Sequence, residues 1–231
     1  MSMKLGIIGF GGMGKFHSKQ APKAGVTVIG AADIKEERVQ EAIEAGIKGY
    51  HSADELLADP EINTVILTVP NHLHKEMAIK AAKAGKNVIT EKPAALNVAE
   101  LDEMTKACEE AGVCFTTHQN RRWDRDMLTV KKAYETGMLG KVFTIESRLH
   151  SGNGYMHEWH LYKKYGGGMM YDWGVHLIDQ ILFMMPDAKV KTVFADLKNV
   201  LHEEVDDYFK IILKMDNGVT AHIELSTYIL K

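Results

Sequence analysis

Cysteine is nearly absent from this 231-residue chain, which carries only two. Cys108 and Cys114 exclude a disulfide framework and read as reduced, half-buried thiols. No charge sign dominates: 28 Lys and Arg stand against 31 Asp and Glu, a formal net charge of −3. That balance leaves no basic footprint, so nucleic acid is not expected as a partner. Uncharged apolar runs stay far short of the ~18 residues a membrane span requires. Residues 1–5 lead straight into a strand pattern, without the apolar region of a secretory leader. Low-complexity segments and internal repeats are missing as well. An apolar fraction of 45% and a charged fraction of 26% are those of an ordinary globular protein. A cytoplasmic soluble protein is expected, long enough for one large domain or two small ones.

What is present begins with an alternation. Mainly apolar, partly β-branched runs at 4–8, 26–32, 64–69, 87–90 and 113–117 read as strands. Between them lie helical stretches at 14–24, 34–45, 72–84 and 98–111, three of them followed by Gly46, Gly85 and Gly112. A glycine just past a helix supplies the left-handed residue that ends it. A short strand at 47–50 and a small helix capped by Ser52 or Asp54 complete the series. Strands alternating with helices predict a parallel sheet, and their continuous apolarity predicts cover on both faces.

The pattern changes near Gln119. A helix over 126–136 is followed by alternating strand patterns at 142–149, 190–197, 207–213 and 219–227, with Asp216-Asn217-Gly218 as a hairpin turn between the last two. Residues 171–185 read as one apolar helix stopped by Pro186, with methionines 169, 170, 184 and 185 as core filler at its ends. The fold class expected is an α/β Rossmann domain with a doubly wound parallel sheet over 1–119, then an α+β domain with an open, mostly antiparallel sheet over 120–231.

Gly9-Phe10-Gly11-Gly12-Met13-Gly14 is G-x-G-x-x-G placed between a strand and a helix, and Asp33 ends the next strand 19 residues after Gly14. Together these form a dinucleotide fingerprint. Gly9 makes the tight turn, Gly11 lets backbone approach a pyrophosphate, and Gly14 lets helix and strand pack closely. The helix N-terminus offers free N–H groups to phosphate. Asp33 accepts from a ribose 2′-hydroxyl and repels a 2′-phosphate, which favours NAD; Lys35 leaves NADP open. Pro70, Asn71 and His74 follow the next strand, where strand carboxyl ends face the ligand. Asn71 reads equally as a helix cap and His74 as a solvated ring.

Glu91-Lys92-Pro93 follows the strand after that, and Lys92 is placed to bind a substrate hydroxyl or move a proton. Asp172 and His176 are spaced i, i+4 on a helix and share a face, an arrangement that sets an imidazole tautomer and tunes its basicity. Helix capping and core hydrogen bonding are the bland alternatives. His157, Glu158 and His160 lack a defined ligand spacing, so no metal is expected. Arg121 and Trp159 are candidate substrate contacts, with Arg122 and Trp123 beside them; domain packing explains each equally well.

Four motifs in order, Gly9 to Gly14, Pro70-Asn71-x-x-His74, Glu91-Lys92-Pro93 and Gly167-Gly168-x-x-x-Asp172-x-Gly174-x-His176, resemble those of the glucose–fructose oxidoreductase / inositol dehydrogenase / rhizopine-catabolism (Gfo/Idh/MocA) family. The resemblance runs along the whole chain. It implies NAD(P)-dependent oxidation of a secondary alcohol on a sugar, polyol or related cyclic substrate. It makes Lys92 the catalytic lysine, and Asp172 and His176 the acid and histidine that hold the substrate hydroxyl; His176 is then assigned as general base, with Asp172 as its orienter or a second hydroxyl contact. It places Phe10, Gly12 and Met13 with the loop glycines, and Glu91 with Lys92, among the cofactor contacts. It implies a homodimer or homotetramer through the open sheet. Family members normally continue further, so a C-terminal truncation is expected, with the strand-like 224–231 ending inside a sheet. An NAD-dependent glycosidase of the same fold and a non-catalytic NAD(P)-binding regulator are the competing readings.

Overall fold

The computed structural model describes residues 2–152, 156 and 158–228. They form two compact units that meet in sequence between His118 and Gln119.

The first unit is a six-stranded parallel sheet. Its strands are β1 (Lys4–Ile8), β2 (Thr27–Ala32), β3 (Lys48–Tyr50), β4 (Thr64–Leu67), β5 (Asn87–Thr90) and β6 (Phe115–Thr117). Their order is β3-β2-β1-β4-β5-β6, so the chain reverses direction between β1 and β4. At such a switch point, helices leave the sheet on opposite sides and open a crevice at the strand carboxyl ends. The helices are α1 (Gly12–Gln20), α2 (Glu36–Glu44), α3 (Ala53–Ala58), α4 (His74–Lys83) and α5 (Val98–Glu110). The two-residue period of a strand divides the core. Leu5, Ile7 and Ile66 join Phe10, Ala31 and Ala42 in one cluster, whereas Ile8, Val65 and Leu67 join Leu56, Ala78, Ala81 and Met104 in another.

Local sequence explains where the helices stop and start. Ser52 Oγ and Asn97 Oδ1 accept the N–H groups of Glu55 and Glu100 at the starts of α3 and α5. Gly85, at φ +70°, follows α4. The expected helix 14–24 divides: α1 ends at Gln20, and a 3₁₀ turn, Ala21–Ala24, takes Pro22 in its first turn. Pro22 has no N–H to continue the α-ladder. Cys108 is buried and Cys114 exposed, so the two thiols are not alike, and neither forms a disulfide.

The second unit opens with α6 (Arg125–Glu135). Its sheet contains β7 (Thr144–His150), β8 (Val190–Lys198), β9 (Tyr208–Met215) and β10 (Thr220–Ser226), in the order β7-β10-β9-β8. β8–β9 and β9–β10 are antiparallel, whereas β10 pairs with β7 in parallel. The sheet is therefore mixed and mostly antiparallel. The turn expected at 216–218 joins β9 to β10; Gly218 takes φ +89° and Asn217 Oδ1 accepts the Val219 N–H. Alternate residues of β9 (Phe209, Ile211, Leu213, Met215) face α7 (Val175–Met184), burying Leu177, Ile181 and Met184 with them. Phe209 has no exposed surface; burying a side chain of this kind is worth roughly 2–3 kcal/mol. β8 is an edge strand, with Val193 and Phe194 exposed at 64% and 55%.

Residues 171–185 are not a single α-helix. Met170–Gly174 is one π-helical turn running into α7. The strand pattern expected at the end of the chain extends as β10 only to Ser226; 229–231 lie outside the described residues, as does His157.

Candidate active site

The fingerprint loop adopts the form its glycines predict. Gly9 takes φ +96°. A Cβ on Gly14 would stand 2.2 Å from the Gly9 carbonyl oxygen, so only glycine allows α1 to start here. A Cβ on Gly12 would meet nothing within 4 Å, leaving that flank open to a ligand. No side chain caps α1 and its first turn carries no acid, so the helix start is left to an anion. The buried Asp33 carboxylate accepts the Phe10 N–H at 2.7 Å and the Lys35 N–H at 3.0 Å. Oδ1, with the Lys35 N–H as its one donor, keeps a lone pair for a ribose hydroxyl. This loop fits the diphosphate and ribose of a dinucleotide. Met13 is exposed and Phe10 is core. Sequence reading missed Arg38, whose Nη1 lies 3.3 Å from Asp33 Oδ2.

The loops after β4 and β5 are tied together. Asn71 is buried, and Pro70 precedes it at the start of a short 3₁₀ turn, Asn71–Leu73. His74 is not a solvated ring: it is 0% exposed, with Nδ1 2.8 Å from the Pro93 carbonyl oxygen and Nε2 3.1 Å from that of Val69. Burial holds its pKa below the usual imidazole range. His74 thus braces the two loops from a buried position.

Glu91 is also drawn inward. Its Oε1 accepts from His17 Nε2 at 2.6 Å and from His118 Nδ1 at 3.1 Å. Burial pushes its pKa up, but these two hydrogen bonds and the imidazole charges outweigh that and bring it down to about 2. Through Oε1 the carboxylate ties the loop after β5 to α1 and to the residue after β6. Lys92, partly exposed, follows at a cis bond to Pro93, and its N–H points to Glu91 Oε2 at 3.3 Å. His17 and His118 were not singled out from sequence. Nothing local marks them, because their partner is 74 and 27 residues away.

In the second unit the glycine run has a packing cause. A Cβ on Gly167 would fall 2.2 Å from the His160 carbonyl oxygen, and one on Gly168 would fall 2.3 Å from Asp206 Oδ1. Asp206 accepts the Met169 and Met170 N–H groups, the second at 2.7 Å through Oδ2, and so starts the π-turn. Burial raises the pKa of Asp206. The turn presents Asp172 half-exposed, one turn before the buried His176, whose ring packs edge-on to Trp173. A cavity of about 380 Å³ lies at Asp172, lined also by Ser151, His160, Trp173 and Thr227.

The segment Asn120–Trp123 buttresses this turn and α7. Gln119 Nε2 donates to the Val175 carbonyl, Gln180 Nε2 donates to that of Arg121, and Arg122 holds Asp179 through two bonds of 2.7 and 2.6 Å. Asp179 on an apolar helix is explained by Arg122. Arg121 lies 4.1 Å over Trp173 and pairs with Asp124, bracing the turn. Trp159 stacks on His160 at 3.8 Å.

Comparison with known proteins agrees with both units. Residues 3–119 match the model of the GFO_IDH_MocA oxidoreductase family, NAD-binding Rossmann fold, and residues 127–230 match that of the GFO/IDH/MocA C-terminal domain. The chain belongs to this family. It is 32% identical to myo-inositol 2-dehydrogenase of Thermotoga maritima over 97% of this chain and 68% of that enzyme. It is 34% identical to scyllo-inositol 2-dehydrogenase (NADP(+)) IolW of Bacillus subtilis over 92% of this chain and 60% of the relative. An NAD-binding protein from Listeria innocua superposes with a TM-score of 0.96 at 41% identity, covering all of this chain and 69% of that one. The chain therefore spans roughly two thirds of the length of these relatives.

Proposed function

We propose that the protein oxidises a secondary alcohol of a cyclic polyol or sugar with NAD. The Gly9–Gly14 loop closed on Asp33 carries the reading, since it is shaped for a dinucleotide and has no other evident purpose. The two inositol dehydrogenases among the relatives support a polyol substrate. The cavity at Asp172, with its indole, imidazole and hydroxyl groups, supports a ring bearing several hydroxyls. Arg38 and Lys35 beside Asp33 keep NADP as a second cofactor.

In this mechanism the chain's own groups handle the proton and the alkoxide. His176 takes the hydroxyl proton as general base. Asp172 orients that imidazole or holds a second hydroxyl. Lys92 stabilises the developing alkoxide or relays the proton. Bound NAD would supply the hydride acceptor. The loop glycines and Asp33 would hold the diphosphate and ribose of the dinucleotide. Exposed apolar side chains on β8 support association of subunits through the open sheet. No helix among the described residues is long and apolar enough to cross a membrane.

The test is a panel of inositols, sugars and polyols offered with NAD or NADP, following accumulation of the reduced nicotinamide. A substrate that gives stoichiometric reduced cofactor supports the reading; Lys92→Met then lowers kcat by about 10²-fold or more. Tight cofactor binding with turnover but no net reduction would favour the glycosidase instead.

A further inference from the structure

The first unit holds a donor cluster that the dehydrogenase reading leaves unused. His17 Nε2, Glu91 Oε1 and His118 Nδ1 all lie within 4.8 Å of one another. Three separate elements deliver them: α1, the residue after β5 and the residue after β6. Side-chain exposure is 8% for His17, 9% for Glu91 and 30% for His118. The two imidazoles meet edge to face with centroids 4.7 Å apart, both aimed at one carboxylate oxygen.

We propose that His17, Glu91 and His118 form a binding site for a divalent transition-metal ion of the zinc type. The donor set decides the class of ion. Two imidazole nitrogens with one carboxylate suit zinc and its first-row neighbours, while magnesium and calcium select oxygen-only sites. The spacing is close to what such an ion needs. Tetrahedral zinc with bonds of about 2.0–2.1 Å holds its ligands about 3.3 Å apart. The contacts of 2.6 and 3.1 Å to Glu91 Oε1 therefore open by less than about 1 Å to admit it. Each imidazole moves its N–H to the other ring nitrogen, freeing the lone pair that now carries a proton toward Glu91. The partly exposed ring of His118 gives the ion its path in, and three protein ligands leave a fourth position for water. The site does not depend on the substrate or on NAD.

The experiment is calorimetric titration of Zn²⁺ into chelator-stripped protein without nucleotide. One ion per chain is expected, with micromolar or tighter affinity, weakened at least tenfold in His118→Ala. His51→Ala, at an exposed histidine paired with Glu36, leaves the affinity unchanged. His118 is the least enclosed ligand, so this variant keeps the fold, checked by circular dichroism. Co²⁺ added to the unaltered protein gives the visible spectrum of a four- or five-coordinate ion. Absence of stoichiometric binding, or binding that survives His118→Ala, overturns the proposal and leaves the cluster as a hydrogen-bonded tie.

Discussion

The carboxylate of Asp33 accepts the backbone N–H of Phe10 at 2.7 Å, so the acid at the end of β2 shapes the fingerprint loop as well as facing its ligand. These two roles separate by substitution. Asp33→Asn keeps an acceptor for Phe10 but removes the charge. Asp33→Ala removes both and leaves a buried N–H without its partner, at about 1–3 kcal/mol. The expected result is an NAD Kd raised about tenfold or more in Asp33→Ala, together with a lower Tm, while Asp33→Asn keeps most of the Tm. Calorimetry and thermal melts measure both. Equal loss of Tm in the two variants would sink the shaping role.

Gly14 tests the close approach of helix and loop. Its missing Cβ would sit 2.2 Å from the Gly9 carbonyl oxygen and 3.2 Å from Thr68 Oγ1. Backbone cannot yield as a flexible side chain does, so Gly14→Ala is expected to cost about 3 kcal/mol and abolish detectable NAD binding. Gly12→Ala, with nothing within 4 Å, is expected to leave stability within about 0.5 kcal/mol. Denaturant midpoints of the two variants decide this, and similar values for both would refute the steric account.

Much of the first unit was legible because its signals are local. The β-branched runs became β1, β2, β4 and β5 within a few residues, and the fingerprint was recognisable from its glycines and the acid that follows. What was missed depends on distant partners. The parallel pairing of β10 with β7 joins strands about 75 residues apart, which alternation within either strand does not record. The π-turn at Met170–Gly174 is fixed by Asp206 and by contacts of Gly167 and Gly168, whereas hydrophobic spacing alone continues smoothly into α7. Arg38, His17 and His118 are ordinary in sequence and acquire meaning only beside Asp33 and Glu91. The partners of His74, Glu91 and Arg121 show the same limit, since Pro93, His17 and Trp173 lie far from them in sequence.

His74 makes stability depend on pH. Its folded pKa lies below the ordinary value near 6.5 because burial disfavours the charged ring. The unfolded chain therefore binds a proton at a pH where the folded one does not. The contribution is complete above about pH 6.5 and is lost as pH falls from there toward the folded pKa, at up to about 1.4 kcal/mol per unit. His74→Gln lacks this proton. At pH 8 the variant is expected to be less stable by about 2 kcal/mol, through the broken tie to Pro93. That gap should narrow as pH falls below 6.5. Urea midpoints between pH 5 and 8 give the comparison, and a gap independent of pH would show that the ring does not titrate as described.

Arg122 and Asp179 connect the segment after Gln119 to α7 by two parallel hydrogen bonds of 2.7 and 2.6 Å. Asp179 is largely enclosed, whereas Arg122 keeps part of its side chain in solvent, so water screens the attraction. The pair also raises the pKa of Arg122, mainly through the hydrogen bonds to Asp179, keeping the guanidinium charged at any working pH. A double-mutant cycle of Arg122→Ala and Asp179→Ala is expected to give a coupling of about 1 kcal/mol, above the median exposed ion pair because the fork is bidentate. Arg122→Lys retains the charge but only one bond, and should recover less than half of the coupling. Since Asp179 follows His176 by three residues on α7, the single variants should also lower kcat in the dehydrogenase assay more than they raise KM. Additive losses with unchanged kcat would mean that the pair supports only the fold and does nothing to align His176.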